Sequence, residues 1–180
     1  RWAYPLVRFL ERHDVPITYI TDLDVEHLGS IPASCSHIVT VGPMRYWTKT
    51  MDSELERFCL IEKKSYVHLG SEAGQHIVDV DLVNEKIHFH GKTGFERLEN
   101  PLTGARPSGS KPRPPWGNMV LNDNKGHESI LQGIVGSSWD RSFDGRRTIA
   151  KGKGRHKWLR ETWAETTLRN GEGHVFNAGV

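Results

Sequence analysis

The tightest constraint on the fold is the order of apolar runs over residues 2–70. Three short β-rich runs, Val15–Ile20, His37–Val41 and Tyr66–Gly70, alternate with two stretches of helical period. Residues 2–13 place Trp2, Leu6, Phe9, Leu10 and His13 on one face, and Pro5 is tolerable in a first turn. Thr50 can cap a helix from Met51 to about Glu62, with Leu55, Phe58, Cys59 and Glu62 close to one face. The second run stops at Gly42-Pro43 and the third at Gly70. Helix, strand, strand, helix, strand is the grammar of a parallel α/β sheet with crossover connections. The Asp24–Ser36 connection has room only for a short helix. Ligands in such sheets gather at the carboxyl ends of strands. Those ends carry Asp22, Asp24, the segment Gly42–Thr48 and Gly70–Glu72.

Past residue 75 the pattern changes. His76–Val83 and Lys86–His90 alternate around Asn84-Glu85, which predicts an antiparallel hairpin. Residues 101–117 hold five of the nine prolines and three glycines, a loop composition. Beyond it Ile130–Val135 is a short apolar run, Trp158–Leu168 reads as a weak helix, and His174–Ala178 reads as a strand. The resulting organisation is an α/β domain over 1–75, a β-hairpin extension over 76–100, a Pro/Gly-rich loop over 101–117, and a basic mixed extension over 118–180.

Composition excludes several classes. No apolar run approaches the ~20 residues that cross a bilayer. Two cysteines, Cys35 and Cys59, make neither a disulfide scaffold nor a thiolate zinc site. A net charge of +2 gives no general case for nucleic acid. The charge is uneven, however: Gly145–Arg160 holds seven basic residues and no acid, with Trp158 and Trp163 near enough to stack on bases. Such runs are more commonly solvated faces, and nucleic acid is not an expected partner. The chain starts at Arg1 with no signal peptide and reads as a piece of a longer, cytoplasmic protein whose first sheet strand lies upstream.

Two stretches are more specific than composition. Trp2-Ala-Tyr-Pro leads through Leu10-Glu-Arg to Val15-Pro-Ile-Thr-Tyr-Ile-Thr-Asp-Leu-Asp. Ile38-Val-Thr-Val-Gly-Pro-Met-Arg-Tyr-Trp-Thr then leads into Met51 to Phe58, and the chain closes on His174-Val-Phe-Asn-Ala-Gly. Their order and spacing resemble the large subunit of N,N-dimethylformamidase and its relatives, well over about residues 2–72 and again at the end. The resemblance implies a parallel-sheet, glutamine-amidotransferase-like (flavodoxin-like) domain, here incomplete, with a β-rich C-terminal extension. It implies hydrolysis of a small N-substituted amide with mononuclear ferric iron held by two tyrosines and a glutamate. By motif, Tyr4, Tyr46 and Glu128 match the ligand positions, and His127 stands where it could shuttle a proton. Hard Fe(III) suits anionic oxygen ligands. A partner subunit and a homo-oligomer are implied as well. The family carries His and an acid before its Tyr-Trp pair; this chain has Pro43, Met44 and Arg45. That departure suits an alternative, a non-catalytic structural or carbohydrate-binding domain of the same ancestry.

Other candidates have plainer readings beside them. Tyr4 on a helix can simply pack, and Tyr46-Trp47 can plug the sheet end as a hydrophobic lid. Glu128 and His127 can be solvated loop residues. Asp22 and Asp24 could be an acid–base pair, but each could equally bond nearby backbone N–H groups. His88 and His90 share a strand face and could bind zinc with a third ligand; His68 and His76 have no spacing that joins them. No Gly-x-Ser-x-Gly elbow is present, and no cysteine lies near residues 42–47, so serine-hydrolase and Cys-His-Glu amidotransferase chemistry are not expected.

Overall fold

The computed structural model describes residues 3–70, 73–74, 76–89, 95–96, 100, 102–103, 106–107, 119–121, 140–141, 147–154, 162–169 and 175–177. Over these the chain is mixed α/β, with parallel strand pairs at one edge of each of its two larger sheets and antiparallel strands continuing from them.

Helix α1 spans Tyr4–Arg12, with Pro5 in its first turn as its fixed φ allows. None of its residues is fully buried: Leu6, Val7 and Leu10 are half-buried, and Phe9 is exposed with its ring 4.5 Å from that of His13. Residues 15–20 form no strand, contrary to their composition. Five of the six side chains are exposed, Pro16 lacks an N–H, and no strand among the described residues pairs with the segment. β-propensity acts through cross-strand partners, and without them the segment stays an extended connection.

Helix α2, Asp22–Leu28, follows directly. Thr21 caps it: Asp24 N–H donates to Thr21 Oγ at 3.2 Å, and Thr21 N–H donates to the Asp24 carboxylate at 2.7 Å. This reciprocal box explains Asp24 without any catalytic duty. The helix ends at Gly29, whose φ of +64° is the left-handed conformation that glycine adopts cheaply.

Strands β1 (His37–Val41) and β3 (Ser65–Leu69) pair parallel, His37 opposite Ser65 through Val41 opposite Leu69. Between them the chain makes β2 (Tyr46–Thr48), α3 (Lys49–Glu56) and a π-helical turn, Arg57–Ile61. The cap of α3 is Thr48 rather than Thr50: Met51 N–H donates to Thr48 Oγ at 3.1 Å. The same hydroxyl donates to Glu26 at 2.5 Å and so ties α3 to α2. Met51, Leu55, Phe58 and Cys59 turn into the core with Val25, Ile31, Trp47, Tyr66, Ile77, Leu102 and Val175. An outer ion-pair chain, Glu54–Arg57–Glu62–Lys64, holds the π turn closed.

Strand β4 (His76–Asp81) pairs parallel with β2 and antiparallel with β5 (Lys86–Phe89). Asp81 accepts from the N–H groups of Val83 and Asn84, which closes the hairpin at the expected place. Short strands β6 (Phe95–Glu96), β7 (Arg106–Pro107), β8 (Met119–Leu121) and β9 (Asp140–Arg141) follow. Then come β10 (Arg147–Gly154), β11 (Thr162–Arg169) and β12 (Val175–Asn177). The larger sheet has the order β1-β3-β12-β11-β10-β8. The closing strand expected from the sequence is therefore present, parallel to β3, with Val175 opposite Tyr66. The described part of the helix expected over Trp158–Leu168 is instead strand: Thr162–Arg169 is held antiparallel between β10 and β12. Three threonines in that stretch favour the pleated form, and strands on both sides complete its ladder. Among the described residues no helix is long and apolar enough to cross a membrane.

Candidate functional site at the ends of β1 and β3

The two parallel strands end side by side and turn tightly. Gly42 N–H donates to Leu69 O at 2.9 Å, and Gly42 has a φ of +91°. A Cβ on Gly70 would lie 2.6 Å from the carbonyl carbon of Gly42, so backbone packs on backbone there and only glycine fits. The chain then passes into the second sheet. Met44 O accepts from Gly74 N–H at 2.9 Å and Arg45 O from His76 N–H at 2.8 Å. These bonds set the register that places Tyr46 opposite His76 and Trp47 opposite Ile77.

Strand alternation sends Tyr46 and Trp47 to opposite faces. Trp47 is fully buried, edge-on to Tyr66 at 6.5 Å. Tyr46 is 46% exposed. Its ring stacks on His76 at 5.3 Å and 27°, and meets Phe89 edge-on at 5.4 Å and 80°. The pair is thus a core residue and a surface residue rather than one lid. Buried Nε1 of Trp47 and Nδ1 of His76 have no hydrogen-bond partner among the described residues.

Tyr4 opens α1 and is 66% exposed. No hydrogen bond or ring contact joins it to Tyr46 among the described residues. Glu128 and His127 lie outside the described residues, as does His90; His88 is exposed on β5. Among the described residues no three His, Cys, Asp or Glu side chains gather as a metal-holding group.

A second polar group lies between β1 and β3. Thr40 Oγ lies 3.0 Å from the Tyr66 hydroxyl and 2.8 Å from His68 Nδ1, and Tyr66 and His68 are fully buried. Burial pushes the Tyr66 phenol far above the ordinary tyrosine range; the Thr40 hydrogen bond opposes this, and Cys59 and Asp22 add to it. Loss of hydration likewise raises the Asp22 carboxyl, offset in part by its own backbone N–H. Tyr66 and His68 stand two apart on one strand, which the sequence displays; their junction through Thr40 depends on the β1/β3 register, which it does not.

Fold and site together define an α/β protein with a half-exposed phenol, Tyr46, that opens β2 on the segment leaving the end of β1. No protein-family model matches the chain, and no curated protein matches it.

Proposed function

We infer that the chain is the α/β part of an amide-hydrolase subunit, of the N,N-dimethylformamidase large-subunit kind, built on an amidotransferase-like (flavodoxin-like) sheet. Its substrate would be a small N-substituted amide. One observation supports the reading: Tyr46, on the segment that leaves the end of β1 and opens β2, is half-exposed with its hydroxyl unengaged among the described residues, and segments leaving parallel strands are where such sheets gather ligands. Tyr4 is also exposed, and its hydroxyl has no hydrogen-bond partner among the described residues. Phenolate oxygens are hard anionic donors of the kind a ferric ion prefers, and a carboxylate such as that of Glu128 is another. The iron, when bound, would supply Lewis acidity toward the amide carbonyl. Tyr4, Tyr46 and Glu128 would hold it, and His127 would move a proton between water and the leaving amine. A cytoplasmic setting, a partner subunit and a homo-oligomer belong to the same reading.

The test is metal content of the intact full-length protein by plasma mass spectrometry, beside Tyr46→Phe. Near-stoichiometric iron with a visible tyrosinate-to-iron band, both lost in the variant, is the expected result. A full-length protein that takes up no iron overturns the reading. A second reading, a non-catalytic carbohydrate-binding domain of the same ancestry, is favoured by the exposed rings of Tyr46 and Phe89, 5.4 Å apart. Saccharide titration with Phe89→Ala as control tests it, and absence of saturable binding ends it.

A further inference from the structure

We propose that His76 is a positioning residue: with Phe89 it clamps the Tyr46 ring in one orientation at the mouth of the site. Its significance for chemistry rests on the amide-hydrolase reading; the clamp itself does not. Three observations carry it. First, the backbone beneath the clamp is fixed. His76 N–H donates to Arg45 O at 2.8 Å, the residue before Tyr46, and the parallel register sets Tyr46 directly opposite His76. Second, the Tyr46 ring touches two aromatic partners in different geometries, a near-parallel stack on His76 and an edge contact reached across β4 to Phe89. A ring held on its face and on its edge has fewer open rotamers than its exposure suggests. Third, Nδ1 of His76 is buried with no hydrogen-bond partner among the described residues. Among the described residues, the contact that His76 makes with Tyr46 is through its ring face.

The arrangement has a purpose at a ligand-binding phenol. An exposed tyrosine on a free rotamer must be ordered each time it binds, and a clamped one is ordered beforehand.

The experiment is nitration of the full, metal-free chain by tetranitromethane, read tyrosine by tyrosine by peptide mass spectrometry. Exposed Tyr4 is the internal rate standard, and buried Tyr66 reports an intact fold. His76→Ala is expected to raise the Tyr46 rate relative to Tyr4 by about 2- to 10-fold, the Boltzmann factor of one stacked aromatic pair. His76→Phe, which keeps the stack and deletes both nitrogens, is expected to stay at the wild-type ratio. Phe89→Ala, a change at a surface position, is expected to raise the ratio by a smaller factor. An unchanged ratio in His76→Ala, or a rise in His76→Phe equal to that in His76→Ala, overturns the proposal. Should His76→Ala expose Tyr66 by unfolding, the other two variants decide. A rise in Phe89→Ala alone supports the clamp, and no rise there refutes it. Because no metal is used, a failure of the iron reading and a failure of the clamp are separate results.

Discussion

Thr40 is the residue through which the buried Tyr66 and His68 meet, and Thr40→Val is the perturbation that reads its worth. The substitution keeps shape and removes one hydroxyl. That hydroxyl has a single proton, so it donates to one neighbour and accepts from the other, 3.0 Å from the Tyr66 oxygen and 2.8 Å from His68 Nδ1. Valine leaves both neighbours without this partner in a site where both are fully buried. Each group so deprived costs about 1–2 kcal/mol, and the pair about 2–4 kcal/mol. Tyr66→Phe is milder, about 1 kcal/mol, because the phenol oxygen leaves together with its desolvation cost. In the Tyr66→Phe background, Thr40→Val then deprives only His68, at about 1–2 kcal/mol. The two changes are therefore non-additive by about 1–2 kcal/mol. Urea unfolding of the four proteins measures this, with unchanged m-values showing that the same surface is exposed in each. If Thr40→Val costs no more than Tyr66→Phe and the two effects simply add, the hydroxyl is not the junction and the account of the buried cluster fails.

Two further results are expected. Gly29 and Gly74 share a left-handed backbone, φ +64° and +60°, in opposite surroundings. Gly29→Ala meets nothing within 4 Å and should cost about 1 kcal/mol, whereas at Gly74 the new Cβ would lie 2.6 Å from the Trp47 ring and 2.5 Å from Asn100, raising the cost to about 3 kcal/mol or more. Equal losses in thermal melting would show that Trp47 gives way and the packing there is loose. Tyr66 makes stability fall in alkali: its phenol stays protonated when folded but ionises near the ordinary 10.0 when unfolded, so stability present below that value is lost as pH rises above it, by about 1.4 kcal/mol per unit. Tyr66→Phe should remove that component of the slope in urea midpoints, and an unchanged slope would mean that Tyr66 is not sealed from water.

Legibility in the sequence follows how local each decision is. Strands β1 and β3 read correctly because their runs are short, β-branched and closed by Gly42 and Gly70, and the Asn84-Glu85 hairpin because Asp81 closes it over three residues. α1 also reads correctly, since a 3.6-residue period needs no partner to be seen. Where a distant partner decides, the same rules fail. Val15–Ile20 has strand composition and no strand partner among the described residues, so it remains a connection; Trp158–Leu168 has helical spacing, yet Thr162–Arg169, within reach of two neighbours, becomes a strand. The α3 cap falls between these cases. Thr48 and Thr50 are equal in chemistry, and Thr48 wins because Glu26 of α2 also takes its hydroxyl.

The site divides along the same line. Tyr46 could be singled out because it lies on the segment leaving a predicted strand, where parallel sheets tend to gather ligands. His76, which lies under its ring, could not, since thirty residues of chain separate them and only the β2/β4 register sets one opposite the other. Thr40 carries no chemical signal at all in the sequence; it becomes informative when β1 and β3 align and its hydroxyl falls between a phenol and an imidazole. A motif can therefore nominate the side chain that meets a ligand, while the groups that hold it still come from strand register. For that reason the Tyr46→Phe and His76→Phe variants ask different questions of one site: the first removes the oxygen that would bind, and the second keeps the ring contact while deleting every nitrogen that could. If Tyr46 behaves alike in wild type and His76→Phe, ring packing rather than imidazole chemistry is what evolution has to preserve at that position.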